Sequence, residues 1–437
     1  MKKITALLLS LGMVMSLVGC GGTASEKQDA GSQPAESEAQ AEQQPSEASE
    51  PVELTFYYPT QVGGDLANGM EAMIEDFNET HENIIVTPVY TGSYKNTAQT
   101  AMTDISGGNA PNVILSGMLD IVDYYNIGKV QNLNDLIAAE GDEWKADFID
   151  GFWGNFVYPD GGTYGLPYQH SICTLYVNMD KLKAAGVEKA PETWEEYLDA
   201  CEKLQAADAG TITIEFPSDV WVLEALTLSD GGKLCASNTE TLFDSDEAVE
   251  SLGMMQKLIN AGGMIQTYAT AAEDFVAESC AMMLNTTGNL GLVMDTAEFD
   301  WQISMVPVKE APGLSYGGGG LIMIADQTPE EEAASWEFMK WMTEPEQSAR
   351  WMDISGYFCV RKSCADLDDV KAYYAENPQT EQASELLQYT TAQWTTDSYW
   401  DVYACMQTAL DSVLIDNQDP AACLAQAQTD AMAILQP

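Results

Sequence analysis

Glu53-Leu54-Thr55-Phe56-Tyr57-Tyr58 is a short run rich in apolar and aromatic residues, closed by Pro59 and then Gly63-Gly64. Aromatic and branched residues bounded by turn formers predict a strand. The next apolar residues, Met70, Met73, Ile74 and Phe77, recur at helical spacing, so an amphipathic helix follows. Ile84-Ile85-Val86-Thr87-Pro88-Val89-Tyr90 predicts a second strand, residues 94–106 a second helix, and Val113-Ile114-Leu115 a third strand. Such alternation predicts an α/β fold with a mainly parallel sheet.

The pattern continues downstream. Ser171 to Asn178 predicts a largely apolar strand and residues 179–185 a helix that closes on Gly186. Thr193-Trp194-Glu195-Glu196 has the spacing of a capping box, in which the threonine and the second glutamate each satisfy a backbone N–H. Trp301 to Pro307 predicts a strand, and Gly317 to Gly320, readable as a flexible loop, leads into Leu321-Ile322-Met323-Ile324. A helix is expected from Pro329 to Met342, and a mainly helical part from Glu346 onward.

Ahead of this lie Lys2 and Lys3, an apolar run from Ile4 to Val18, and Gly19-Cys20, the plan of a secretory signal peptide over residues 1–19. Leu17-Val18-Gly19-Cys20 resembles the bacterial lipobox, which implies acylation of Cys20 and a lipid anchor such as palmitate at the outer face of the cell membrane. Residues 21–50 hold no Val, Ile, Leu, Met or aromatic residue and cannot bury apolar surface. Residues 20–51 are therefore expected to be a disordered tether spanning on the order of 30 Å.

The formal charge is −50, which excludes nucleic acid and anionic membrane surfaces as partners and admits a cationic ligand such as a polyamine. Of nine cysteines, those besides Cys20 form no Cys-x-x-Cys pair. With two histidines in the chain, a zinc site is not expected, nor any other metal or cofactor. Several cysteines sit in apolar patterns that suit buried thiols.

Phe77-Asn78, Gly107 to Pro111, Tyr164-Gly165-Leu166-Pro167 leading to Leu175-Tyr176-Val177-Asn178, Pro191 to Glu196, Thr343-Glu344-Pro345-Glu346 and Gly356-Tyr357 occur in an order and spacing with a known counterpart. The chain resembles the extracellular solute-binding proteins of the maltose-binding and glycerol-3-phosphate-binding group. The resemblance implies a two-lobed periplasmic-binding-protein fold with a ligand cleft at the hinge. It places 52–167 and 298–345 in the first lobe, and 168–297 and 346–437 in the second.

A sugar presents hydroxyls at its edges and C–H groups on its faces, so its site needs polar side chains and flat rings. The resemblance implies ring contacts from Trp221 and Trp400 and further contacts from Tyr94, Ser116, Ser171, Thr287, Gly288, Gly318, Gly319 and Tyr357. The resemblance also implies hydrogen bonds to sugar hydroxyls from Gln61 and Asp65, on the loop after the first strand. His170, beside Ser171, could border the cleft. Glycerol-3-phosphate binders carry an arginine in the late helix where this chain reads Val402-Tyr403-Ala404-Cys405-Met406. The arginines here are Arg350 and Arg361, of which Arg361 could approach the cleft. A neutral sugar is thus favoured over a sugar phosphate.

The expected role is a monomeric binding protein that delivers a small solute, most simply a carbohydrate, to two ABC permease subunits with an ATPase. Alternatives are a glycerol-phosphate or polyamine binder of the same fold, a receptor feeding a sensor kinase, or a surface glycoside hydrolase. No His-Glu-x-x-His motif occurs, and His81 and His170 lie in unrelated contexts, so no catalytic residue is expected.

Overall fold

The computed structural model describes residues 50–60, 66–158, 160–208 and 210–436. The expected signal peptide, Cys20, nearly all of the tether, Gln61 and Asp65 lie outside the described residues.

Strands run in chain order as β1 (Val52–Pro59), β2 (Ile84–Gly92), β3 (Val113–Gly117), β4 (Leu166–Asn178), β5 (Glu215–Phe216) and β6 (Cys235–Ser237). They continue as β7 (Glu240–Thr241), β8 (Met264–Ile265), β9 (Met282–Thr286), β10 (Trp301–Ser304), β11 (Leu314–Met323) and β12 (Thr390–Thr391). β6 and β7 form a separate ribbon, and the rest make one sheet of order β2-β1-β3-β11-β4-β9-β5-β8, with β10 also on β4 and β12 on β11.

The flanks of this sheet are parallel, β1 with β2 and β3, and β5 with β8 and β9. The middle is antiparallel: β11 runs against β3 and β4, and β4 against β9 and β10. A mainly parallel sheet was the expectation, and the difference has a simple origin. β4 carries the chain from one half to the other and β11 carries it back, so the two strands must oppose each other. All thirteen residues of β4 are buried, its first part against β11 and its second against β9 and β10. β10 lies beside the second part of β4, with Trp301 to Ser304 opposite Asn178 to Leu175.

The glycine run is a strand rather than a flexible loop. A side chain on Gly318, whose φ is +112°, would begin 1.8 Å from the Gln169 carbonyl oxygen, and one on Gly319 2.2 Å from that of Ser116. β11 therefore fits between β3 and β4 only without side chains there.

Helices cover the sheet through their apolar stripes. The helix Leu66–Thr80 buries Leu66, Met70, Met73, Ile74 and Phe77. Thr193 with Glu196, and Thr328 with Glu331, close capping boxes at the helices Trp194–Ala207 and Pro329–Met342. The helix Val220–Ser229, begun by Asp219 accepting from the Trp221 N–H, is buried at nearly every position beneath β11. The helices Tyr399–Leu414 and Pro420–Leu435 pack on each other and on Asp246–Asn260. Cys173, Cys201, Cys280, Cys359 and Cys364 are buried free thiols. No helix of the described residues is long and apolar enough to cross a membrane.

Candidate ligand-binding site

Where β3 ends beside the middle of β4 and β11, facing the helices Val220–Ser229 and Tyr399–Leu414, the structure leaves a cavity of about 290 Å³. One wall comes from Ser93, Tyr94 and Lys95 at the start of the helix Tyr94–Gly107, and from Gly117 to Asp120 after β3. The other comes from Asp219, Trp221, Tyr268, Tyr399, Trp400 and Tyr403. Ser171, Thr286, Gly317, Gly318, Tyr357 and Gln393 complete the lining.

Several rings rest on glycines. A side chain on Gly317 would begin 2.5 Å from the Trp221 ring, one on Gly319 2.9 Å from Tyr94, and one on Gly288 2.9 Å from Tyr357. The bare backbone at these positions is what lets the rings lie flat behind or beside the cavity. Tyr94 donates to Gln169 Oε1 at 2.7 Å. Trp221 and Tyr268 face each other with ring centroids 6.4 Å apart, and Tyr399, Trp400 and Tyr403 form a second aromatic group. The Trp221 Nε1–H is buried and has no hydrogen-bond partner among the described residues.

Two carboxylates enter the cavity from opposite sides. Asp120 is 2% exposed and accepts from the Trp400 indole N–H and the Gly117 backbone acts on it as well. Burial pushes its pKa up to about 8, assisted by the nearby Asp123 charge, while the hydrogen bonds pull the other way. Asp219 is half-buried and accepts from the Trp221 backbone N–H at 2.8 Å. Burial raises its pKa too, against the stabilising effect of that N–H and of the Tyr268 and Tyr403 hydroxyls.

Of the residues singled out from the sequence, Tyr94, Ser171, Trp221, Gly318, Tyr357 and Trp400 line this cavity. Ser116, Thr287, Gly288 and Gly319 do not. Ser116 bonds its own neighbour, donating to the Gly117 carbonyl, and Gly319 packs behind Tyr94. Thr287 Oγ1 accepts from the Ile172 N–H at 3.1 Å, and Gly288 makes room for Tyr357, so both support the wall from behind. His170 points away from the cleft: strand alternation sends it to the opposite face from Ser171. There it stacks on Phe152 at 4.2 Å, fully buried, with its pKa driven down to about 3 by burial. Arg361 does not approach the cleft either, since its guanidinium lies 3.6 Å over the Phe148 ring and donates to the Thr343 and Trp144 carbonyls.

Sequence reading missed Asp120, Asp219, Tyr268, Tyr399 and Tyr403. Asp219 had a local signal, the N-cap spacing of Ser218-Asp219-Val220-Trp221. The others come together only through the tertiary fold. No cluster of three or more metal-ligating side chains occurs among the described residues.

Residues 72–379 match the family model described as bacterial extracellular solute-binding protein. The sn-glycerol-3-phosphate-binding periplasmic protein UgpB of Shigella dysenteriae serotype 1 is 24% identical over 343 residues, which is 74% of this chain and 77% of that protein. The same protein of Escherichia coli strain K12 is 24% identical over 344 residues, with the same shares. Among solved structures, UgpB from Mycobacterium tuberculosis in complex with glycerophosphocholine aligns with a TM-score of 0.79 at 21% identity, covering 89% of this chain and 99% of that one. An ABC substrate-binding protein from Listeria monocytogenes in complex with cycloalternan gives 0.78 at 19% identity, covering 88% and 99%. Maltose-bound MalE3 of T. maritima gives 0.78 at 18% identity, covering 88% and 100%. With a family match over most of its length and the two-lobed fold of these structures, the chain belongs to the bacterial extracellular solute-binding proteins that serve ABC importers.

Proposed function

We propose that this binding protein captures a short saccharide in the cavity between its halves and delivers it to its importer. The observation that carries this reading is the lining: Trp221, Tyr268, Tyr357 and Trp400 offer flat faces, while Asp120, Asp219, Ser171 and Gln393 offer hydrogen-bonding groups at the edges. That is the chemistry a sugar ring demands. The volume lies at the lower end of the roughly 300–1,000 Å³ that ligand pockets span, which favours a short saccharide over a long one.

The curated relatives are named for sn-glycerol-3-phosphate, and solved neighbours hold glycerophosphocholine, cycloalternan or maltose. A phosphate wants a guanidinium fork or a cluster of donors. Arg350 is engaged with Asp76 at 2.5 Å and Arg361 is buried elsewhere, which leaves Lys95 as the basic residue of the lining. Saccharide is therefore favoured over glycerol phosphate. Calorimetry against mono- and oligosaccharides and sn-glycerol-3-phosphate tests this, with heat expected from a saccharide. Heat from the phosphate alone would overturn it.

Delivery would proceed by closure of the halves where β4 and β11 cross, to the extent that the solute prefers the closed form. The closed monomer would then dock on two permease subunits driven by an ATPase, without chemical change to the solute. Export by the signal peptide and acylation at Cys20 would keep the receptor beside its permease and raise its effective concentration there. Cys20→Ala protein should bind solute normally yet escape into the medium, and its retention on cells would remove the anchor from this scheme.

A further inference from the structure

Asp120 and Asp219 reach the cavity from different elements, the turn after β3 and the start of the helix Val220–Ser229. No lysine or arginine forms an ion pair with either among the described residues. The groups that bond them are all neutral: the Trp400 indole N–H for Asp120, and the Trp221 backbone N–H with the Tyr268 and Tyr403 hydroxyls for Asp219. Further carboxyl groups stand behind them. Asp123 acts on Asp120, and Asp219 acts on the buried Glu224, which is held by the Ser315 hydroxyl at 2.6 Å and the Trp394 N–H at 2.9 Å. Lys95, the basic residue of the lining, is exposed at the rim.

With the cavity empty, burial keeps Asp120 largely protonated at neutral pH; a neutral sugar would leave it so, and would leave the charge of an ionised Asp120 or Asp219 unbalanced in a poorly solvated space, which is costly. The electron-rich faces of the surrounding rings favour a cation as well. An ammonium group meets both demands, because it brings a positive charge and only donors, for which the carboxylates are the acceptors. The cavity and its rings, together with the buried and unpartnered Trp221 Nε1–H, mark this as a ligand site and not merely an acidic patch.

We propose that the solute carries a protonated amine, held in the aromatic cavity by Asp120 and Asp219. The inference rests on the saccharide reading for the rest of the molecule, so an amino saccharide is the ligand it specifies. A polyamine shares the same cationic chemistry and is separated from it by the test.

The test is calorimetry of the protein with a glucosamine oligosaccharide, its N-acetylated form, the glucose oligosaccharide of equal length, and spermidine. Hydrogen bonds to a charged partner predict that the free amine binds roughly tenfold or more tightly than its two neutral counterparts. Asp120→Asn and Asp219→Asn should each collapse that ratio. Asparagine keeps an acceptor for the Trp400 N–H and for the helix start, so these variants change charge with little change in shape. Neutral saccharides binding as well as the amine, or an unchanged ratio in both variants, would overturn the inference and leave the saccharide reading standing. Binding of spermidine without any saccharide would overturn the saccharide reading and leave the ammonium site standing. Failure of every amine-bearing probe to bind would also overturn the inference.

Discussion

The wall contributed by Ser93 to Lys95 and Gly117 to Asp120 is made largely of backbone and short or flexible side chains, whereas the facing wall of Trp221, Tyr268, Tyr399, Trp400 and Tyr403 is almost wholly ring. The first follows directly from a strand end and a helix N-terminus, which present polar groups by their nature. The second needs large side chains from three separate stretches of sequence, brought together by helix packing. One wall is suited to recognising edges and the other to gripping faces, and each contributes one carboxylate.

That contrast can be broken or sharpened experimentally. The largest effect should come from Gly318→Ala, at the seam between the walls, where a left-handed backbone and a 1.8 Å approach to the Gln169 carbonyl leave no room for a methyl group. Denaturant unfolding should register a loss of about 3–5 kcal/mol. A loss below about 1 kcal/mol would mean that the walls can part freely.

The next effect concerns Asp120, on the backbone-rich wall. Its pKa is raised from 3.8 to about 8, so the folded chain keeps a proton that the unfolded chain has released. The stability from this group is full below about pH 4 and is lost as pH rises through about 8, a change on the order of a few kcal/mol. Asp120→Asn should flatten the decline relative to the parent between pH 5 and pH 9. Parallel curves for parent and variant would show that Asp120 is already ionised.

On the aromatic wall, Trp221→Ala should weaken solute binding by about 2 kcal/mol while the near-ultraviolet circular dichroism retains a folded signature. Unchanged affinity would deny that wall its gripping role. The smallest effect is expected from Tyr94→Phe, which removes the 2.7 Å bond to Gln169 and should lower stability by about 1 kcal/mol in thermal melts.

The fold was legible where periodicity is strong. The opening strand, the helix Leu66–Thr80, and the capping boxes at Thr193 and Thr328 each reflect a local rule, and the first three strands pair in parallel as alternation implies. Polarity in the middle of the sheet was not legible, because the direction of β11 depends on where β4 has already carried the chain. Gly317 to Gly320 misled for a related reason: glycine in a loop and glycine squeezed between two strands look alike in sequence. At the site, Tyr94, Ser171, Trp221, Gly318, Tyr357 and Trp400 of the candidates lie in the lining, whereas Ser116, Thr287, Gly288 and Gly319 do not, and Gln61 and Asp65 lie outside the described residues. The clustering of Asp120 with Trp400, 280 positions apart, carries no local signal at all.

The seating of Trp221 against Gly317 has an optical consequence. An indole at the rim of a binding cavity emits according to the polarity and quenching groups around it, so filling the cleft changes the light the protein gives off. The receptor is thus its own fluorescent gauge of occupancy, needing no attached dye, and subtracting the spectrum of Trp221→Phe isolates that one emitter from the other tryptophans.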